Sequence, residues 1–99
     1  MLLIAGTVRI PAENIDAART AAQAMVAETR KEDGCITYAF AQDLLDPGLI
    51  HISETWRDSA ALKAHGESAH MAAWRAAAGG LGLGERDLKL YRTDEGRPI

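Results

Sequence analysis

The chain has 99 residues, 47% of them hydrophobic and 25% charged, with a formal net charge of −3. That suits one globular domain with a modest core and excludes a disordered chain. No basic stripe is present to track phosphates, so nucleic acid is not an expected partner, and no apolar run approaches membrane-spanning length.

The segment Leu2–Ile10 reads as a first strand; it lacks the length and basic flank of a signal peptide. A helix opens near Pro11, a residue favoured in the first turn, with Glu13 and Asp16 at its positive end. Ile15, Ala18, Ala22, Met25, Val26 and Thr29 recur at helical spacing as its buried stripe, Arg30 and Lys31 suit its negative end, and Gly34 is the stop. Two runs rich in β-branched and aromatic residues, Cys35–Ala41 and Leu49–Trp56, flank the polar turn Gln42–Gly48, punctuated by Asp46-Pro47-Gly48, and make an antiparallel hairpin. A second helix follows from about Ser59 to Ala78, with Asp58 or Ser59 as N-cap. Gly66 inside it costs roughly 1 kcal/mol relative to alanine, so a kink or break near His65 is expected. The run Gly79–Gly84 reads as a flexible connection; it lacks the Lys-Ser/Thr ending of a phosphate loop. Asp87–Thr93 alternates as a fourth strand, and residues 93–99 are expected to form an exposed C-terminal arm.

The order β-α-β-β-α-β over a single domain, residues 1–99, is that of an α+β ferredoxin-like fold: a four-stranded antiparallel sheet with its helices on one face. Such strands should alternate apolar and polar residues if their second face is wet. Here Leu2, Leu3, Ile4 and Ala5 run together, and Leu49, Ile50 and Ile52 occupy both faces of their strand. Two helices cover one side only, so a second copy of the chain is expected on the other, giving a homodimer built sheet to sheet.

Chemistry-bearing residues concentrate between Gly34 and His70. The segment holds all three histidines, the only cysteine and one of the two tryptophans. The cysteine, Cys35, cannot pair within the chain, which fits a reducing, cytoplasmic setting. His65 is the natural general base, since an imidazole titrates near pH 6.5; packing on the sheet is its structural alternative. His70 lies one helical turn before Trp74 and either lines a pocket mouth with it or marks an exposed edge, the latter being expected. Trp56 would stack on a substrate ring or fill the helix–sheet junction, and Tyr38 would donate to a substrate oxygen or join the core. Glu54 shares the Trp56 face and, if buried, is expected to pair with Arg57 or Arg92; a carboxylic acid of raised pKa is its alternative. His51 faces the opposite way, toward the presumed partner. No metal is expected: His65 and His70 are five positions apart, which points them to different faces of a continuous helix.

The strings Glu32-Asp33-Gly34-Cys35-Ile36-Thr37-Tyr38, Asp46-Pro47-Gly48, Ser53-Glu54-Thr55-Trp56 and Ala61-Leu62-Lys63-Ala64-His65-x-x-Ser68-x-His70 resemble the antibiotic-biosynthesis monooxygenase family, closest to its quinol-monooxygenase-like branch. The resemblance covers nearly the whole chain. It implies a dimeric α+β barrel with a pocket between helices and sheet, and oxidation of a quinol or phenolic aromatic by molecular oxygen with no metal, flavin or other cofactor. Ile52 and Leu62 stand where the polyketide-tailoring members hold substrate with asparagine and tyrosine; only Trp56 is kept. The first strand also lacks the asparagine that haem-degrading members use. His65 as base and Trp56 as ring contact, with Tyr38, Glu54, His70 and Trp74 around the substrate, make up the expected site. Two other functions fit the same pocket: a non-catalytic, stress-type ligand-binding dimer, or a small-molecule isomerase that uses His65 for proton transfer.

Overall fold

The computed structural model describes every residue, Met1–Ile99. Strand β1 (Leu2–Arg9) leads through a short 3₁₀ turn (Ala12–Asn14) into helix α1 (Ile15–Thr29). The hairpin β2 (Cys35–Gln42) and β3 (Leu49–Trp56) follows, then helices α2 (Ser59–Gly66) and α3 (Ala69–Gly80), and strand β4 (Gly84–Arg92). The four strands form one antiparallel sheet in the order β2-β3-β1-β4, the ferredoxin-like arrangement.

Local chemistry explains most boundaries. Gly34 takes φ +85 at the turn into β2, and a Cβ there would lie 2.5 Å from that of Ala61. The hairpin loop is fastened by the Asp43 carboxylate, which accepts from the backbone N–H groups of Leu45 and Asp46, each at 3.0 Å. Asp58 caps α2 by accepting from the Ala61 N–H at 2.9 Å.

The second helix departs from the continuous one expected from the sequence. It ends at Gly66, and the chain restarts as α3 with Ser68 as N-cap. The Ser68 hydroxyl donates to the His65 carbonyl at 2.7 Å and accepts from the Met71 N–H at 3.3 Å, so one side chain closes α2 and opens α3. The glycine run is also more ordered than its composition suggests. Gly79 and Gly80 complete the last turn of α3, and β4 already begins at Gly84. The residues beyond β4 are exposed throughout.

The core lies between the helices and one sheet face. Leu2, Ile10, Ile15, Ala18, Met25, Tyr38, Trp56, Ala61, Trp74 and Ala78 form one buried cluster. Of the stripe expected on α1, Ile15, Ala18, Met25 and Thr29 are fully buried, while Ala22 and Val26 pack at its margin. Strand alternation turns Ile52, Glu54 and Trp56 toward the helices and His51, Ser53 and Thr55 away from them. No helix covers that second face. Strand β4 pairs only with β1 and leaves Leu90 and Tyr91 about half exposed, at 52% and 47%. No helix is long and apolar enough to cross a membrane.

Candidate functional site

Two features lie between helices and sheet: a buried polar cluster and an apolar cavity, separated by aromatic rings. The cluster forms where three chain ends meet. Glu32 follows the end of α1, His65 is the penultimate residue of α2, and His70 lies in the first turn of α3. One carboxylate oxygen, Glu32 Oε2, faces His65 Nδ1 at 2.7 Å and His70 Nε2 at 3.0 Å. An ionised carboxylate oxygen facing two ring nitrogens accepts from both, and in a neutral His65 imidazole that places the proton on Nδ1 and leaves Nε2 to accept. The ligand-type atoms of these three residues all lie within 4.8 Å of one another. His65 is 4% exposed, with its ring 4.7 Å from the indole of Trp56, which is fully buried.

Glu54 completes the polar layer. It is 7% exposed, and its Oε1 accepts from Trp56 Nε1 at 2.9 Å. The arginine partner expected for it is absent: Arg57 pairs instead with Asp33 at 3.1 Å and with Asp58 at 3.3 Å. Burial, partly opposed by the Trp56 N–H, raises the Glu54 carboxyl above the ordinary carboxylate range. Glu54 is therefore the raised-pKa acid rather than half of an ion pair. Burial, followed by the negative fields of Glu54 and Glu32, also raises the Tyr38 phenol. The Tyr38 ring meets that of His65 edge-on at 5.2 Å and stacks on Phe40 at 5.6 Å.

On the far side of Phe40 lies the cavity, of about 380 Å³, within the range typical of small-molecule sites. Its walls are apolar, with Val8, Ile10 and Ile50 from the sheet side and Ile15 and Val26 from α1. Phe40 and Trp74 supply its aromatic lining, their rings edge to face at 5.8 Å. Arg19, Gln23, Arg30 and Gln42 supply the polar part of the lining, and all four side chains are exposed.

The expected site residues are thus divided. Trp74 lines the cavity; His65, Trp56, Tyr38, Glu54 and His70 do not. His70 is also not the exposed edge that its helical position suggests: it is tied to Glu32, and its side chain is 21% exposed. His65 and His70 do not point to different faces either: the break between α2 and α3 turns two histidines five positions apart onto one carboxylate. His51 faces away from the cluster, as expected, and bonds the Asp43 carboxylate of its own hairpin at 2.8 Å.

Residues 1–77 match the model of the antibiotic biosynthesis monooxygenase family. The chain belongs to this family. Among solved structures it is similar to a candidate antibiotic biosynthesis monooxygenase of Deinococcus radiodurans, with 27% identity, coverage of 100% of this chain and 98% of that one, and a TM-score of 0.90. It is also similar to PA3566 of Pseudomonas aeruginosa, at 33% identity over 94% of this chain and 93% of the other, with a TM-score of 0.72. YcnE of Bacillus subtilis, by name a candidate monooxygenase, is 27% identical over 94 residues that span 95% of this chain and 97% of that protein. An uncharacterised Synechocystis protein is 23% identical over 95% of this chain, which spans only 64% of the length of that relative.

Within this family member, sequence reasoning passed over Glu32, Phe40 and Arg30 as site residues. Glu32 had a signal, since it opens the string that ends at Tyr38. Phe40 had one too: it shares the Tyr38 face of β2 by alternation. Arg30 had none, because a basic residue at a helix C-terminus is ordinary.

Proposed function

We propose that this family member is a monooxygenase that oxidises a quinol or phenolic aromatic with molecular oxygen. The observation that carries the reading is the pairing of an aromatic-lined apolar cavity with an imidazole held against a carboxylate, the Tyr38 ring standing between His65 and Phe40. The substrate ring lies against Phe40 and Trp74, and Arg30 at the lining favours its ionised oxygen. His65 is the base, its Nδ1 held by Glu32 and its Nε2 free to accept. The proton path to it runs past Tyr38, so this reading requires the Tyr38 side chain to turn when substrate binds. Trp56 backs the imidazole and, being fully buried, acts on its position rather than on the substrate ring.

The chemistry asks little else of the protein. A deprotonated quinol is electron-rich enough to reduce oxygen directly, so a base, a dry pocket and an oriented ring suffice, without a resident metal or flavin. Quinol and dioxygen give a hydroxyquinone and water: one oxygen atom enters the ring, the other leaves with two hydrogens, and the ring supplies the four electrons. A second copy of the chain on the uncovered sheet face would bury the exposed side of β4, and we include this dimer in the proposal.

The test is oxygen uptake by the purified protein with a panel of quinols, corrected for their autoxidation. Protein-dependent uptake that His65→Gln reduces by at least about 100-fold, with the melting transition retained, supports the reading. Uptake that His65→Gln leaves intact removes His65 as the base. Product formation without oxygen points instead to isomerisation, and tight binding without turnover points to a ligand carrier.

A further inference from the structure

We infer that Glu32, His65 and His70 form a binding site for a divalent transition metal of the zinc and cobalt class. Two imidazole nitrogens and a carboxylate oxygen are the donor set such ions take, and three protein donors leave further positions for water. A tetrahedral zinc with bonds of about 2.0–2.1 Å separates its donors by about 3.3 Å. Here Glu32 Oε2 stands 2.7 Å from His65 Nδ1 and 3.0 Å from His70 Nε2, and all three donor atoms fall within 4.8 Å. An ion therefore needs the two N–H···O contacts to open by a few tenths of an ångström and the two imidazole nitrogens, within 4.8 Å of each other, to draw in toward that 3.3 Å, after which each contact becomes an N–metal–O bridge.

The surroundings suit this. The donors come from the turn just after α1, the end of α2 and the start of α3, so the ion would staple these three segments across the break. The His65 side chain is 5% exposed, which holds one donor rigid, while Glu32 and His70, at 16% and 21%, leave a route in from solvent. The Ser68 hydroxyl, bonded to the His65 carbonyl and to the Met71 N–H, fixes the spacing of the two histidines through the backbone.

Metal binding would also control the proposed chemistry, and this consequence alone rests on His65 being the base. With Nδ1 on a metal, a neutral imidazole carries its proton on Nε2 and has no lone pair left to accept one. The ion would hold the base off, and removing it would restore the Glu32-oriented imidazole.

The experiment is a titration of the full chain, free of any histidine tag, with cobalt(II) alone. Binding is read by calorimetry and by the visible absorption of the bound ion, then repeated with zinc(II) as competitor. Saturation at one ion per chain, competed by zinc, is the expected result, with affinity falling by about 100-fold or more in both His70→Ala and Glu32→Gln and unchanged in His51→Ala. Two variants on different elements keep the result readable if one of them folds poorly. Absence of saturable binding, or binding that follows His51 rather than His70, overturns the inference. Either outcome is independent of oxygen uptake, so the base reading can fail while the metal site stands, and the reverse.

Discussion

Gly66→Ala tests what makes the break between α2 and α3. A glycine in a helix interior costs up to about 1 kcal/mol relative to alanine, and Gly66 is the last residue of α2, where about half of that is recoverable. It is not among the glycines of positive φ, and the only heavy atom near an added Cβ is a guanidinium nitrogen of Arg75 at 3.9 Å. The methyl thus meets ordinary contact, and the expected gain is about 0.5 kcal/mol. For a domain of this size that is a rise in melting temperature of about 2–4 °C. Ser68→Ala provides the contrast. It removes the cap of α3 and the bond to the His65 carbonyl, and should cost about 1 kcal/mol, a fall of about 4–8 °C. Both are read by circular-dichroism melts at one fixed protein concentration, since association would make the midpoint depend on it. If the glycine rather than the Ser68 cap makes the break, alanine would run α2 into α3 and pull His70 off Glu32. A lowered melting temperature in Gly66→Ala would refute the assignment of the break to Ser68.

Gly6→Ala should be the most damaging single methyl in the sheet. Gly6 sits at φ +149, and a Cβ there would lie 1.9 Å from the Asp87 carbonyl oxygen of β4; a loss of about 3 kcal/mol or more in urea unfolding is expected, and a change below about 1 kcal/mol contradicts it. Glu54→Gln probes the buried carboxyl. Because burial raises its folded-state pKa above that of the unfolded chain, the stability it confers is full at low pH and drains away as the pH climbs through the folded value. The glutamine removes that drain, so the melting-temperature difference, variant minus parent, should become more positive from about pH 4 to about pH 8; a flat or falling difference shows that Glu54 is not held protonated by the fold.

The fold was legible because its signals are local and repeated. The alternation of Cys35–Ala41 and Leu49–Trp56, the turn between them and the stripe on α1 each specify an element without help from the rest of the chain. The Gly79–Gly84 run misled for the same reason. Glycine content argues for a loop, but Ala78 is fully buried in the core, and its docking carries α3 two residues further than propensity alone would. Glu54 misled through pairing logic. A buried carboxyl need not find an ionic partner: burial raises its pKa and so favours the neutral form, and here an indole N–H two residues away on the same face supplies the hydrogen bond.

The site was less legible, and the break explains why. On a continuous helix, residues advance about 100° per position, so histidines five apart point about 140° from each other and cannot share a ligand. That arithmetic is sound, and it fails because Ser68 resets the helix axis between them. A capping serine gives no sign in sequence of the angle at which the next helix leaves; the angle is set when Trp74 and Ala78 dock into the core. Once it is set, Glu32, adjacent in sequence to neither histidine, becomes the partner of both. The same docking places the Trp74 ring against Phe40 and in the wall of the cavity. A single helix break thus builds both halves of the candidate site, and a substitution that straightens it should disturb the Glu32–histidine cluster and the cavity together.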